Sequence, residues 1–431
     1  MTGPTGRVPN GQVREERHVT LAFRSTGPVA VEARWGTREL IDGLAREWRE
    51  LCGRGLRDEP FYRPEWVSAY LRAFAPDARL LLVAARADGR LAAVLPLVEA
   101  NRGWRGLWVR KLQGAANIHS CRFDIACEKG QSGEAAIAGI WRALRGIPGW
   151  DIIEIPRVPQ GGAAEALVAQ AAEDGYVTGF WRGFWRPTES PYAKIDLPRD
   201  ADPVTVAGNA AFRRNLRRRL RRAKEHYDVR LRRVDEADPE ALEAFFELER
   251  RGWKGKAGTA IACSAATREF YTSVATAAAE SGYLSLYFLD FDGIPVAGHF
   301  GLRHGGCYYL PKVAYDEDYA RFSPGQLLVR AIIEDLVKDG PAVMDFLGLP
   351  AEWKAVWTQE VLPHSSCFIF QKGLRGRILY FARFAILAAA RSAAHHPFLE
   401  PAARVLQRWR KPTLSPQGWR QSGSGAPAAE N

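Results

Sequence analysis

The side chains of this chain whose types suit proton movement are His299, Asp345 and Tyr315, with Lys254, Lys312 and Lys354 as cations able to hold a negatively charged group. His299 alternates away from Val296, Phe300 and Leu302, and an imidazole titrates near neutral, which suits a general base; a core histidine with a structural role is the alternative. Asp345 interrupts an apolar run, where a carboxylate is costly without a partner or a role, so a structural pair with a lysine or arginine is the competing reading. Tyr308, Tyr309 and Tyr315 are candidate acids, although aromatic residues also belong in strands for packing. Trp66, Trp253, Lys254 and Lys354 set aromatic surface beside cations, as a substrate subsite would, or as lysines with packed stems. A base, an acid and fixed positive charge are what direct transfer of a group onto an amine needs.

Positioning these groups requires the stretch Tyr283 to Gly348 to fold as one unit. Tyr283 to Phe291 and Ile294 to Arg303 flank Asp292-Gly293, a dipeptide suited to a two-residue hairpin. After His304-Gly305-Gly306 a third strand, Cys307 to Tyr315, is interrupted by Pro311, which cannot donate to a ladder and predicts an edge, a bulge or a parting of neighbours. Ser323 is expected to cap a helix with Pro324 at its first position and Gln326 reaching back. Leu328, Ile332 and Leu336 give that helix a buried line; Gly340-Pro341 stops it and Ala342 to Phe346 returns as a strand. The same order is expected earlier. Thr37 caps a helix carrying Leu40, Leu44, Trp48 and Leu51, and Glu65 to Phe74 forms another. Arg79 to Arg86, Arg90 to Glu99 and Leu107 to Leu112 read as strands, Gly133 to Arg145 as a helix and Trp150 to Ile155 as a strand. In the later copy Asp238, with Pro239, and Thr267 are expected to cap the two leading helices. The fold class is therefore α/β, with mixed sheets repeated in two units.

Composition narrows the function classes. The 431 residues, 47% apolar and 11% aromatic, are those of a globular protein. No run reaches ~18 uncharged apolar residues, and the first residues lack a signal-peptide core, so a cytoplasmic location is expected. The six cysteines form no CxxC pair, and no metal is expected. The net charge of +11 is concentrated in Ala211 to Lys224, which carries seven Arg and one Lys. That run reads as a solvated linker helix, a contact for a phosphate-rich partner such as tRNA, or a contact for an anionic membrane surface. A basic amphipathic helix from Arg377 to Ala394 bears on the last reading. The expected divisions are a tail over 1–19, a first unit over 20–200, a basic linker helix over 201–232, a second unit over 233–374, a basic helical segment over 375–411 and a tail over 412–431.

Several short motifs in order carry a resemblance: PFYRPEW at Pro60 to Trp66, VLPLV at Val94 to Val98, the arginine run, RRGWKGKAGTA at Arg250 to Ala260, VAYDEDYARFSPGQLL at Val313 to Leu328 and DFLGLPAEWKAVW at Asp345 to Trp357. Together they resemble the CelD-like branch of the GNAT superfamily, described with cellulose or exopolysaccharide biosynthesis and related to the FemABX peptidyltransferases. The resemblance implies two tandem GNAT-like domains and transfer of an acyl group from acetyl-CoA or another acyl-CoA to an amine or hydroxyl, on a cell-envelope or polysaccharide precursor. It implies a donor site where the third strand parts from the returning strand, at Pro311, Lys312 and Val313, and at the helix start formed by Ser323, Gly325, Gln326 and Leu327, whose N–H groups would face a pyrophosphate. The superfamily's phosphate loop, Q/R-x-x-G-x-G/A, is not met, since this segment supplies Gly325 alone. An aminoacyl-tRNA donor, as in FemABX proteins, and an inactive binding module are the alternatives. The first unit, with Asp124, Asp151, Glu154 and His119 but no complete acid-base set, is expected to serve acceptor binding or scaffolding.

Overall fold

A computed structural model describes residues 20–104, 107–181, 192–198, 208–339, 342–348 and 351–394. Both tails, the Gly340-Pro341 helix stop and part of the linker lie outside these residues. The first half contains β1 (Thr20–Ser25), β2 (Val29–Gly36), α1 (Glu39–Asp42), α2 (Ala45–Arg54), α3 (Pro64–Phe74), β3 (Leu80–Ala87), β4 (Arg90–Trp104), β5 (Leu107–Gly114), β6 (Ala126–Cys127), α4 (Gln131–Gly146), β7 (Ile152–Pro159), α5 (Ala163–Glu173) and β8 (Val177–Trp181). The second continues with β9 (Tyr192–Leu197), α6 (Ala210–Lys224), β10 (Val229–Val234), α7 (Pro239–Arg251), α8 (Trp253–Lys256), α9 (Ala265–Glu280), β11 (Leu284–Phe291), β12 (Ile294–His304), β13 (Cys307–Tyr315), α10 (Pro324–Lys338), β14 (Ala342–Asp345), α11 (Glu352–Ala355), β15 (Val361–Leu362), β16 (His364–Phe370) and α12 (Leu374–Ala394).

The elements form two mixed sheets, in the orders β1-β2-β3-β4-β5-β7-β16-β8, with β6 beside β4, and β10-β11-β12-β13-β14-β9-β15. Asp292-Gly293 forms its hairpin as expected, and Asp88-Gly89 joins β3 to β4 in the same way. Asp88 and Asp292 take φ of 49° and 50°, and Gly89 and Gly293 take 78° and 80°, the two consecutive positive angles that a tight hairpin matching strand twist demands. Every residue of β11 is buried, because α7 and α9 cover one face of the second sheet and α10 the other. The halves meet through α3 and α9, where Trp66 and Phe74 both lie 5.3 Å, ring to ring, from Phe270.

The sheets are not completed within the expected units. β9, from before residue 200, pairs antiparallel with β14 in the second sheet, while β16 pairs with β7 and β8 in the first. In each sheet the returning strand, β7 or β14, has a parallel neighbour on one side only, and a strand from across the chain satisfies its other edge. Other differences are local. Strands β1, β2, β8 and β10 and helix α5 add to the expected elements. Thr37 is not a cap; α1 follows Arg38 without a capping side chain. Ser264 rather than Thr267 caps α9, accepting from the Thr267 N–H at 3.3 Å. Ser323 adopts a left-handed conformation, φ 54°, which turns its hydroxyl away from the first turn, so no capping bond forms.

Candidate functional site in the split of the second sheet

β13 and β14 pair in parallel for three residues, ending at Tyr309 opposite Asp345. β14 ends there, its other edge paired with β9 along Ala342–Asp345, and Leu310 to Tyr315 keep a strand partner on one side, β12. Pro311 sits at this departure, and the register of β12 against β13 slips beside it, between Phe300 and Leu302. Proline has no N–H to hold the ladder there, so the strand kinks and the split opens.

Three lysines surround the split. Lys254 of α8 donates to the Val313 carbonyl at 2.6 Å and to Glu249 at 2.7 Å. Lys312 lies 3.8 Å from the same carboxylate oxygen and 5.3 Å from the centre of the Tyr271 ring. Glu249 is buried, and its other oxygen accepts from the Ile261 N–H at 2.7 Å. Desolvation, together with the charge of Lys254, pulls Lys312 down to about 8. Lys354 of α11 donates to the Leu347 carbonyl; burial lowers it to about 8 although Asp345 opposes the shift. The sequence separated these residues by up to a hundred positions, yet the fold brings Lys254 and Lys312 onto one carboxylate.

At the far end of β13, Pro324 opens α10. The N–H groups of Gln326 and Leu327 already bond the Ser323 carbonyl, at 3.0 and 3.1 Å, which leaves the Gly325 N–H as the donor of this turn. Gly325 is open: a Cβ there would meet only Tyr315 Cδ1, at 3.8 Å. Gln326 does not reach back to the cap. Its amide donates to the Trp353 carbonyl at 3.2 Å and accepts from the Trp357 indole, closing the loop after β14 over this corner. Leu327 is core. Tyr315 is half-buried, with its phenol held above its ordinary range by burial and by Glu317. Helix α6 packs against α10 and the turn before it, and Phe212 meets Trp357 edge to face at 5.0 Å.

The expectation that His299 titrates near neutral is overturned. Its cross-strand neighbour Tyr287 reaches Asp335 of α10, so the face opposite Phe300 is covered as well. Burial lowers the imidazole to about 3, and Nδ1 has no hydrogen-bond partner. Asp345 has the structural partner that was its alternative. Arg122, from the loop after β5, contacts the Asp345 carboxylate through Nη2, donates to Glu59 at 2.8 Å through Nη1 and to His364 Nε2 at 3.0 Å through Nε. His364 is neutral, lowered to about 2 by burial and by Arg122, and its Nδ1 lies 2.8 Å from the Leu362 carbonyl. The knot ties both halves together, and each guanidinium edge has an acceptor, as a buried charge demands. Trp66, expected on a substrate surface, is buried against Phe61 and Phe270. Trp253 is partly exposed, 5.9 Å from Lys254 Nζ.

The first sheet repeats the split between β5 and β7, but it is plugged. The ring of Phe123 lies against Gly114 and Pro156, so a Cβ at residue 114 would come within 2.5 Å of that ring. Asp124 accepts from the N–H groups of Ala163 and Ala164 at 2.8 Å each, at the start of α5, and Asp151 pairs with Arg375 at 2.8 Å. Among the described residues no group of His, Cys, Asp and Glu could hold a metal ion.

The second sheet thus has an open split beside a helix start, and the chain can be compared with known proteins. Residues 210–355 match a family model described as an acetyltransferase (GNAT) domain. No curated protein matches the chain. Among solved structures it is similar to FemX, at 12% identity and a TM-score of 0.53, covering 78% of this chain and 97% of that one. It also aligns with the C-terminal domain of a putative lysylphosphatidylglycerol synthetase from Agrobacterium fabrum, at 12% identity and a TM-score of 0.47, covering 80% and 97%. A tandem GNAT protein from the clavulanic acid biosynthesis pathway aligns at 13% identity and a TM-score of 0.45, covering 80% and 100%. The likeness to FemX at such identity is one of fold.

Proposed function

We infer that the chain is an acyltransferase in which an acyl-CoA lies along Leu310 to Tyr315 and gives its acyl group directly to an amine held between the halves. The observation that carries this reading is the end of β13–β14 pairing at Tyr309, which leaves strand edge for a donor's amides. Lys312 takes the ammonium proton of the acceptor; at about 8 its pKa leaves roughly a tenth of it neutral at pH 7. The amine then attacks the thioester carbonyl, the tetrahedral intermediate collapses as the nitrogen loses its second proton to solvent, and Tyr315, protonated and next to Gly325, donates to the departing thiolate and regains its proton from solvent. Lys254 and Lys354 supply positive charge toward a carboxylate or phosphate on either substrate. The CelD-like resemblance supports a cell-envelope or polysaccharide precursor as acceptor. Full-length protein mixed with a panel of acyl-CoA thioesters and amine acceptors should release free thiol only when both are present; no release from any thioester would overturn the reading.

A specific observation favours a second reading, aminoacyl transfer from charged tRNA. α6 has exposed Arg214, Arg217, Arg218, Arg221 and Arg222 and packs beside the start of α10, within reach of an RNA entering the donor site. Binding of tRNA whose affinity falls steeply with salt, without thiol release from CoA esters, would select it.

A further inference from the structure

Helix α12 is apolar on two opposite faces. Leu379, Tyr380 and Phe384 pack on the end of the first sheet: Phe384 lies edge to face with Phe368 at 5.8 Å, and both rings of α12 lie against Gly179 of β8. On the other side Leu374, Ile378 and Phe381, at helical spacing, are 75%, 49% and 67% exposed. A solvent-facing stripe on a helix already seated by its other face is not explained by the fold. Arg377 and Arg375 flank the stripe on either side, and Arg375 also donates to the Trp108 carbonyl, which ties a tryptophan that is 64% exposed to the first turn.

We propose that this stripe, with Trp108, seats the protein on the surface of an anionic lipid bilayer, with α12 lying in the plane of the headgroups. The charge argues for lipid over a second copy of the chain. From Lys372 to Leu399 the sequence has no Asp or Glu, so pairing two stripes would bring like charges together, whereas anionic headgroups complement them. The composition matches an interfacial helix: aliphatic and aromatic residues on one side, arginine at its margins. Tryptophan and arginine favour the boundary between hydrocarbon and water. The helix lies on the membrane rather than through it, since no described helix is long and apolar enough to cross.

Sedimentation of the full chain with vesicles tests this. Vesicles of phosphatidylcholine with a third phosphatidylglycerol should capture the protein, and pure phosphatidylcholine vesicles should not. Ile378→Asp and Phe381→Asp, both at exposed positions, should each weaken capture by on the order of ten-fold, with an unchanged melting temperature as the check on folding. Milder Phe381→Ser should fall between. Capture unaffected by either variant, or abolished only by Arg217→Glu and Arg218→Glu on α6, would overturn the assignment. So would no capture of the full chain by either vesicle, or concentration-dependent dimerisation that the α12 variants abolish.

Discussion

Replacing Asp345 with Asn separates structure from chemistry at the centre of the molecule. The substitution keeps the shape and the bond from the Leu347 N–H at 2.9 Å, but removes one of two carboxylates on the buried Arg122 guanidinium. Breaking a buried ion pair costs ~3–5 kcal/mol when a charge is left bare. Here Arg122 keeps Glu59 and His364, so the low end applies, about 3 kcal/mol. At ~2–4 °C per kcal/mol for domains of 150–250 residues this is a fall of roughly 6–12 °C in melting temperature. Arg122→Met should cost more, because Glu59 and Asp345 then face each other without a cation. Combining Glu59→Gln with Asp345→Asn should show a coupling of ~0.5–3 kcal/mol, since both act on one guanidinium. Circular dichroism melts and urea titrations give the stabilities, and thiol release gives the activity. If Asp345→Asn shifts the melt by less than about 1 °C while transfer falls a hundred-fold, the carboxylate is part of the reaction and the structural argument fails.

Acid should destabilise the fold before most carboxylates titrate. His119, His299 and His364 are lowered by burial to about 4, 3 and 2, so below 6.5 the unfolded chain binds protons that the native state refuses. Stability is full above about pH 6.5 and each histidine removes about 2 kcal/mol by pH 5, about 6 kcal/mol together; a melting temperature flat from pH 7 to 5 would contradict this. Gly325→Val should weaken CoA-ester binding by roughly ten-fold in a thermal-shift titration if the helix start holds phosphate, and unchanged affinity removes that assignment. Transfer should rise from pH 7 to 9 as Lys312 deprotonates, a rise that Lys312→Met abolishes; a flat profile in the parent protein excludes Lys312 as the base.

What could be read from residues alone follows how local each signal is. Asp88-Gly89 and Asp292-Gly293 specify their turns without outside help, as Asp238-Pro239 specifies the start of α7 with two N–H groups on its carboxylate. Pro311 marked the split because a missing donor acts on its own ladder. The alternation of Val29, Val31, Ala33 and Trp35 in β2 was an available signal for a strand. Arg122 gave none: an arginine in a loop reads as solvated, and only the arrival of Glu59, Asp345 and His364 from distant positions makes it a core residue. His299 was placed on the correct side of its strand, but alternation cannot tell whether that side faces solvent or a helix such as α10. The destinations of β9 and β16 were equally hidden, since a short apolar strand carries no label for its partner.

The crossing of those two strands sets an order of assembly. The first sheet has its outer pairs only when residues 364–370 arrive, so the earlier half waits, with the β7 edge and β8 unpaired, until the strands of the second sheet have been made. The second sheet, by contrast, receives β9 before the rest of its strands are made. The two halves therefore cannot be cut apart, exchanged or expressed alone as complete sheets, and a ribosome that stops before residue 364 releases a chain with an open edge in its larger sheet.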